Sequence, residues 1–414
     1  MAEAVEEAAR AAERAARLAY GRLVATLTAQ TRDIAAAEDA LSEAFARALE
    51  TWPKKGVPNA PEAWLLTAAR RKQIDHARRR ITAASAEPDI LRQIEDAAMD
   101  ERDPNMPDPR LGLLFLCAHP AIDQSVRTPL MMQTVLGLDA ARIAKVYLVK
   151  PATMSARLVR AKTKIKDAGI PFEIQDMEAW AERLDSVLSA IYGAYTAGWA
   201  ASAPGEAGTG ELAEEAEWLA RLIVSALPES GEAKGLLALI LFCESRTTAR
   251  KGPRGEFIPL GEQDTTLWDE ERVEEANTLL REAATAPDSG RFQIEAAVQS
   301  VHAMRSVTGR TDWTVLLALY TTLMGVAPSL GAAIARAAVM GELGKPDDGL
   351  ADLAALPEDR IADYCPYFAT RGHLMALSGR ASEARAALLR ARELATDPAV
   401  QSWLKDRADA LSPN

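Results

Sequence analysis

An all-α chain is what this sequence predicts, from three observations. Ala, Leu, Glu and Arg dominate, and aromatics are only 5% of the residues, a composition that suits helices with ample small-residue core. Apolar residues recur at helical spacing along most of the 414 positions. Gly-, Pro- and Ser-rich breaks, at 201–210, 251–262, 286–290, 325–331 and 344–347, punctuate the periodic stretches of the second half. The length suggests two or three domains.

The same reading excludes several classes. No stretch approaches a membrane span of about 20 uninterrupted apolar residues, and Met1 to Arg17 has no apolar core of a secretory signal; that stretch reads as a frayed or solvated helix. Cys117, Cys243 and Cys365 are far apart and odd in number, which argues against a disulfide framework. No Cys or His pair has zinc-ligand spacing. The expectation is a cytoplasmic chain with no metal and no cofactor. Asp264 and Asp269 flank Trp268, but no nucleophile or glycine-rich phosphate loop accompanies them, so catalysis is not expected. His119, before Pro120, and Cys117, in an apolar run, read as structural residues.

Element by element, residues 18–51 read as two helices: Leu18, Leu23, Val24 and Leu27 stripe the first, and Ala40, Leu41, Ala44, Phe45 and Ala48 the second. Trp52-Pro53 and the run from Lys54 to Pro61 break the helix. A third helix spans Pro61 to Ile81, with Pro61 suited to its first turn and Glu62 to its dipole. Residues 83–110 hold eight acidic and three basic residues and four prolines, which predicts an extended, self-repelling tether. Helices return at Leu111–Ala118, Ser125–Leu136 (closed by Gly137), Ala140–Leu148 (capped by Asp139) and Ala152–Ala168 (stopped by Gly169 and Pro171). Beyond residue 172 helices are expected throughout. Met340 to Pro346 aligns 35 residues before Met375 to Ala381, matching Gly344 with Gly379 and Leu353 with Leu388. Tetratricopeptide units have a similar period of about 34 residues.

Net charge is −11, yet residues 1–171 carry 26 basic and 22 acidic side chains, a net of +4, and residues 172–414 carry −15. Such asymmetry hints at a nucleic-acid module joined to something else. The sharpest local signal is Arg142 to Lys166, with eight Lys or Arg and no Asp or Glu. In its last helix Met154, Leu158, Ala161 and Ile165 form an apolar stripe that can pack on Ile143, Ala144 and Leu148. Thr153, Arg157, Arg160 and Lys164 form a cationic stripe one residue behind. One buried face and one outward face is what a helix-turn-helix needs to enter the major groove. Arg157 and Arg160 have the donors to read guanine, Thr153 and Ser155 lie near the groove-entering end, and Lys162 and Lys166 fit phosphates. A solvated basic face is the plain alternative. The helix after the 52–61 loop adds Trp64, Arg70, Arg71, Lys72 and Arg78 to Arg80, although basic helix ends also complement the macrodipole. The run Arg246 to Arg254, in the acidic half, reads as a solvated loop.

Together these segments resemble the extracytoplasmic-function group of sigma-70 factors. Ala37 to Leu49 looks like the group's polymerase-binding helix. The resemblance therefore implies core RNA polymerase as partner, met by Asp39, Leu41, Glu43, Phe45 and Leu49. Pro61 to Arg79 looks like the following promoter helix. By resemblance Lys54 to Asn59 is the loop that captures a flipped minus-ten base, with Lys54, Lys55, Asn59, Trp64, Arg70, Arg71 and Lys72 on that DNA. Ile143 to Ala161 looks like the fourth-region helix-turn-helix, which places Thr153, Ser155, Arg157, Arg160, Lys162 and Lys164 on the minus-thirty-five element.

Trp52-Pro53 with Gly56-Val57-Pro58, Asp108-Pro109-Arg110-Leu111, His119-Pro120, Gln263-Asp264 with Trp268-Asp269, Thr311-Asp312-Trp313 and the Gly379-Arg380 repeat are similar to the subgroup with a C-terminal tetratricopeptide-like extension. The implied architecture is region 2 at 1–82, an acidic linker at 83–110, region 4 with its helix-turn-helix at 111–171, and a helical solenoid at 172–414, itself a candidate to bind a protein partner. The sequence departs at Ala140-Ala141-Arg142, where a more acidic start is expected, and at Ile191 to Trp199. Two rivals stay open: a helix-turn-helix regulator that never touches core polymerase, and a repeat scaffold with a vestigial DNA module.

Overall fold

The structure, a computed structural model, describes residues 2–84, 108–147, 149–170, 172, 180, 182–200, 210–287 and 289–411. Among these residues it is all-helical, apart from one isolated bridge between Lys251 and Phe257. The chain divides into two compact units, Met1–Ala226 and Leu227–Asn414. Two helices beyond the expected boundary at 171/172 pack with the first unit. Most of the acidic linker, 85–107, lies outside the described residues.

The first unit opens with α1 (Ala2–Thr31), α2 (Ile34–Lys55) and α3 (Pro61–Ala84). The N-terminal stretch, expected as a frayed or solvated helix, is helix with one small-residue face buried, Ala8, Ala11, Ala12, Ala15 and Ala19 lying in line with Leu23, Val24 and Leu27. Leu18 is 72% exposed. It lies roughly 140° round the helix from Leu23 and does not belong to the stripe. Arg32, with φ 54°, turns the chain between α1 and α2, and Asp33 caps α2 by accepting from the Ala36 N–H at 3.0 Å.

Helix α2 does not break at Trp52-Pro53. Pro53 falls in its last turn, where the missing N–H costs one bond, and the helix ends at Gly56, whose φ of +83° no β-carbon favours and whose N–H reaches the Trp52 carbonyl. Lys54 and Lys55 are thus helical, and the loop is Gly56–Ala60.

Four helices follow: α4 (Pro109–Cys117), α5 (Gln124–Thr134), α6 (Ala140–Val146) and α7 (Pro151–Asp167). Asp108, Pro109 and Arg110 belong to α4 and not to the tether, with Asp108 capping and Pro109 at the first turn. Every residue from Arg110 to Cys117 is buried, as suits a central helix apolar all round. Arg110 is admitted there because Asp108 takes it bidentately, Glu215 at 2.9 Å, and the Trp218 ring lies 3.6 Å below it. Glu215 and Trp218 lie on α9 (Gly210–Ala226). With α8 (Leu184–Ala200) it completes the unit, and the Phe115 ring stacks on Trp180 at 4.3 Å.

The second unit centres on α10 (Gly231–Glu244), buried over most of its length, with α11 (Glu270–Ala283) and α12 (Arg291–Ala303) against it. Glu232 accepts from the Phe292 and Gln293 N–H groups and so caps α12. Asp264 and Asp269 are also caps, of a short 3-10 turn and of α11. Then come α13 (Arg305–Thr308), α14 (Trp313–Val326), α15 (Leu330–Glu342), α16 (Pro346–Ala354), α17 (Glu358–Ile361), α18 (Cys365–Leu377), α19 (Ala381–Leu394) and α20 (Pro398–Asp409).

The 35-residue repeat is a repeat of geometry. Gly344 and Gly379 both have φ +75°. Lys345 N–H reaches the Met340 carbonyl at 2.9 Å, and Arg380 N–H reaches that of Met375 at 2.9 Å. Leu353 and Leu388 are each buried in successive core clusters. The pairs α15–α16 and α18–α19 are stacked hairpins, joined by His373 to Glu342 at 2.9 Å and Ser378 to Asp347 at 3.1 Å.

Candidate nucleic-acid interface

Helices α6 and α7 lie where the cationic helix pair is expected. Asp139 accepts from the N–H groups of Ala141 and Arg142 at 2.8 Å each and starts α6. Pro151 starts α7 and Gly169, at φ +59°, follows its end. Met154, Leu158, Ala161 and Ile165 are buried, as are Ile143 and Ala144; Leu148 lies outside the described residues. With its apolar stripe committed inward, α7 leaves Thr153, Ser155, Arg160 and Lys164 exposed and Arg157 half-buried.

Arg157, Arg160 and Lys164 line a groove of about 310 Å³ against Ile122, Asp123, Ser125 and Val126 at the start of α5. Hydrogen bonds from the Ser125 hydroxyl and N–H hold the Asp123 carboxyl below the usual range, so one fixed negative charge sits beside three cations. The rim of the groove is therefore cationic, with a single fixed negative charge at Asp123.

Lys162 departs from expectation. It is buried and its ammonium pairs with Glu38 of α2. Lys166 pairs with Asp33 at 2.8 Å. Lys162 does not offer its charge to phosphate in this arrangement, whereas Lys166 stays half exposed. The two helices approach because α1 and α2 pack on the α4–α7 group: Gly21 lies so close to the Val135 carbonyl that a β-carbon there would overlap it, and Gly137 sits against the Tyr20 ring. Burial pushes the Glu38 carboxyl up, with Lys162 opposing. It pushes the Tyr20 phenol up as well, with Glu38 adding to the effect. Burial also raises the Cys117 thiol to about 12, despite its bond to Thr134, which keeps it a protonated core residue. His119 is structural too, accepting from the Ala121 N–H at 3.1 Å.

On the first three helices, the expected polymerase-facing residues Asp39, Glu43 and Leu49 are exposed and Phe45 is half-buried. Leu41 is fully buried in the helix packing and offers no surface; it follows the inner stripe of Ala37, Ala40, Ala44 and Ala48. Of the residues expected at the minus-ten element, Lys54, Lys55, Asn59 and Arg71 are exposed and Arg70 is half-buried. Lys72 pairs with Glu43, and the Trp64 ring packs edge-on against Trp52 at 5.5 Å. The side chains of Arg78 to Arg80 lie outside the description.

Sequence reading missed the pairing of Glu38 with Lys162. It also missed the clasp of Asp108, Arg110, Glu215 and Trp218. Each joins segments over a hundred residues apart, and no local pattern couples them.

The first unit thus presents an exposed cationic helix edge beside a three-helix bundle, and comparison with known proteins places its first part in a known family. Residues 13–81 match sigma-70 region 2, which supports a sigma-70 factor with a role in transcription initiation and RNA polymerase as its general partner. That family is not enzymatic. Residues 183–284 match a family of unknown function (DUF6596); the match crosses the division at 226/227, so its first two helices, α8 and α9, clasp the α4–α5 pair. The chain is 34% identical over 386 residues to an uncharacterized protein of Rhizobium meliloti (strain 1021), covering 92% of this chain and 91% of the other, and it belongs to the same family. No solved structure matches. Among the described residues no helix is long and apolar enough to cross a membrane, and no cluster of side chains could hold a metal ion.

Proposed function

We propose that the chain is an alternative sigma factor of the extracytoplasmic-function kind. Its α1–α3 bundle docks on core RNA polymerase through Asp39, Glu43, Phe45 and Leu49 and opens the minus-ten element through the α2–α3 loop and α3. The helix-turn-helix α6–α7 reads the minus-thirty-five element with Thr153, Ser155, Arg157, Arg160 and Lys164. The second unit is a tetratricopeptide-like regulatory or partner-binding domain, in keeping with its stacked hairpins.

The observation that supports this reading best is the joint occurrence, in one chain, of a region 2 match and an α7 whose apolar stripe is buried while its arginine edge faces out. An ordinary regulator has no use for the first, and a vestigial module none for the second. Reconstitution with core polymerase and run-off transcription test it: promoter-dependent initiation is expected. DNA binding without core association favours a regulator that acts alone.

A further inference from the structure

In the second unit Arg246 follows α10 and Arg305 begins α13, and both are half-buried. Arg246, expected in a solvated loop, is instead held near Arg305 around the Trp268 indole. The Asp269 N–H reaches the Ser245 carbonyl at 2.8 Å, which sets the Arg246 stretch beside Trp268. Arg305 lies over the Trp268 ring at 5.2 Å and donates to the Gln263 carbonyl at 2.8 Å.

Neither guanidinium forms an ion pair among the described residues. Arg246 meets the Cys243 sulfur at 3.5 Å, and Arg305 meets the Gln263 carbonyl. Glu295, whose charge is felt with that of Arg246 at Tyr320, pairs with neither. Burial, with Arg246 adding, holds the Arg305 guanidinium below its usual value. Two like charges, half out of water and without a counter-charge, are unfavourable. Two more polar atoms are buried there with no hydrogen-bond partner among the described residues, the donor Trp268 Nε1 and the acceptor Gln263 Oε1. Their residues are 6% and 7% exposed.

We propose that Arg246, Arg305, Trp268 and Gln263 form a binding site for hydrogen phosphate. Two guanidiniums match the two charges of that dianion, and their forked donors suit its terminal oxygens. The indole N–H is one further donor to those oxygens. The remaining O–H of hydrogen phosphate suits the Gln263 Oε1 atom, which can only accept. A carboxylate brings one charge and no hydrogen, and so leaves one arginine and the Gln263 oxygen unmatched. All four residues lie in the second unit, and none belongs to the face proposed to read promoter DNA.

Calorimetric titration of the full chain with inorganic phosphate tests this, at constant ionic strength in mildly alkaline buffer, where hydrogen phosphate prevails. Saturable binding is expected, weakened about tenfold or more by Arg246→Gln and by Arg305→Gln, as for loss of a charged hydrogen bond. Trp268→Phe keeps a ring beneath Arg305 and removes only the N–H, so it is expected to weaken binding by a smaller factor. Arg157→Ala with Arg160→Ala, in the first unit, is expected to leave the affinity unchanged. Acetate, and phenyl phosphate, whose fourth oxygen carries a ring in place of the proton, are each expected to bind about tenfold or more weakly than inorganic phosphate.

Circular dichroism without phosphate shows which variants are folded. Should Arg305→Gln fail to fold, Arg246→Gln decides alone, because its guanidinium meets only the Cys243 sulfur among the described residues. Absence of saturable binding, or binding that the folded arginine variants of this site retain in full, overturns the site. Acetate or phenyl phosphate bound as tightly as inorganic phosphate overturns hydrogen phosphate as its ligand.

Discussion

The ammonium of Lys162 and the carboxylate of Glu38 meet across 124 positions of sequence, joining the helix expected to read DNA to the helix expected to meet polymerase. Lys162 is 8% exposed and Glu38 18%, so neither charge is well solvated and each depends on the other.

Lys162→Met leaves Glu38 buried without its cation. Loss of one member of a buried pair costs about 3 kcal/mol, whereas replacing both by apolar groups is often near neutral. Urea unfolding of the full chain should show the single variant destabilised by about that amount and the double variant Lys162→Met, Glu38→Leu recovering most of it. Equal loss in both would mean that packing, not the charge pair, dominates at this place.

Arg157→Ala with Arg160→Ala removes the donors on the outward edge of α7 and touches none of its buried stripe. Promoter-specific transcription should be abolished while core binding survives. A bidentate guanine contact contributes about 1–3 kcal/mol of discrimination, so even the single changes should weaken a cognate promoter by about fivefold or more in run-off assays.

In the second unit, burial, with the charges of Arg246 and Arg305 added, pushes the His302 imidazole down to about 4 from 6.5. Between those values the unfolded chain binds a proton that the folded chain refuses. The stability is therefore complete above pH 6.5 and is lost as pH falls toward 4, by about 3 kcal/mol at 1.36 kcal/mol per unit. His302→Phe keeps an aromatic ring beside Trp313, whose ring centre lies 6.2 Å away. It should flatten that part of the pH profile when unfolding is followed from pH 7 to 4.

Gly344 and Gly379 hold the same left-handed turn in the two hairpins. Substitution by Ala meets no neighbour in either place, so only backbone strain is added, about 1–2 kcal/mol each. Thermal unfolding should show similar, additive losses for the two sites, as for independent positions.

Much of the helix pattern was legible because it is local. The stripe Met154, Leu158, Ala161, Ile165 is buried as its spacing predicts, Asp139 caps as its type predicts, and the Gly344/Gly379 register reappears as equal dihedrals. Where sequence reading failed, the deciding cause was tertiary. Leu41 looks like a docking residue until α2 is seen to turn it inward. Lys162 looks like a phosphate contact until α2 supplies Glu38. Glu215 and Trp218 close over Arg110, and no local pattern announces that clasp across 105 positions. Pro53 misleads for the opposite reason: a helix tolerates it in a last turn that Gly56 is about to end.

As a sigma factor, one chain both binds polymerase and reads a promoter. Core polymerase reconstituted with the purified chain, assayed on genomic fragments by run-off transcription and start-site mapping, tests it most directly. Discrete starts that require the chain are expected, and they vanish with Arg157→Ala, Arg160→Ala although that variant still co-elutes with core. Absence of any chain-dependent start, or of co-elution by the unaltered chain, contradicts it.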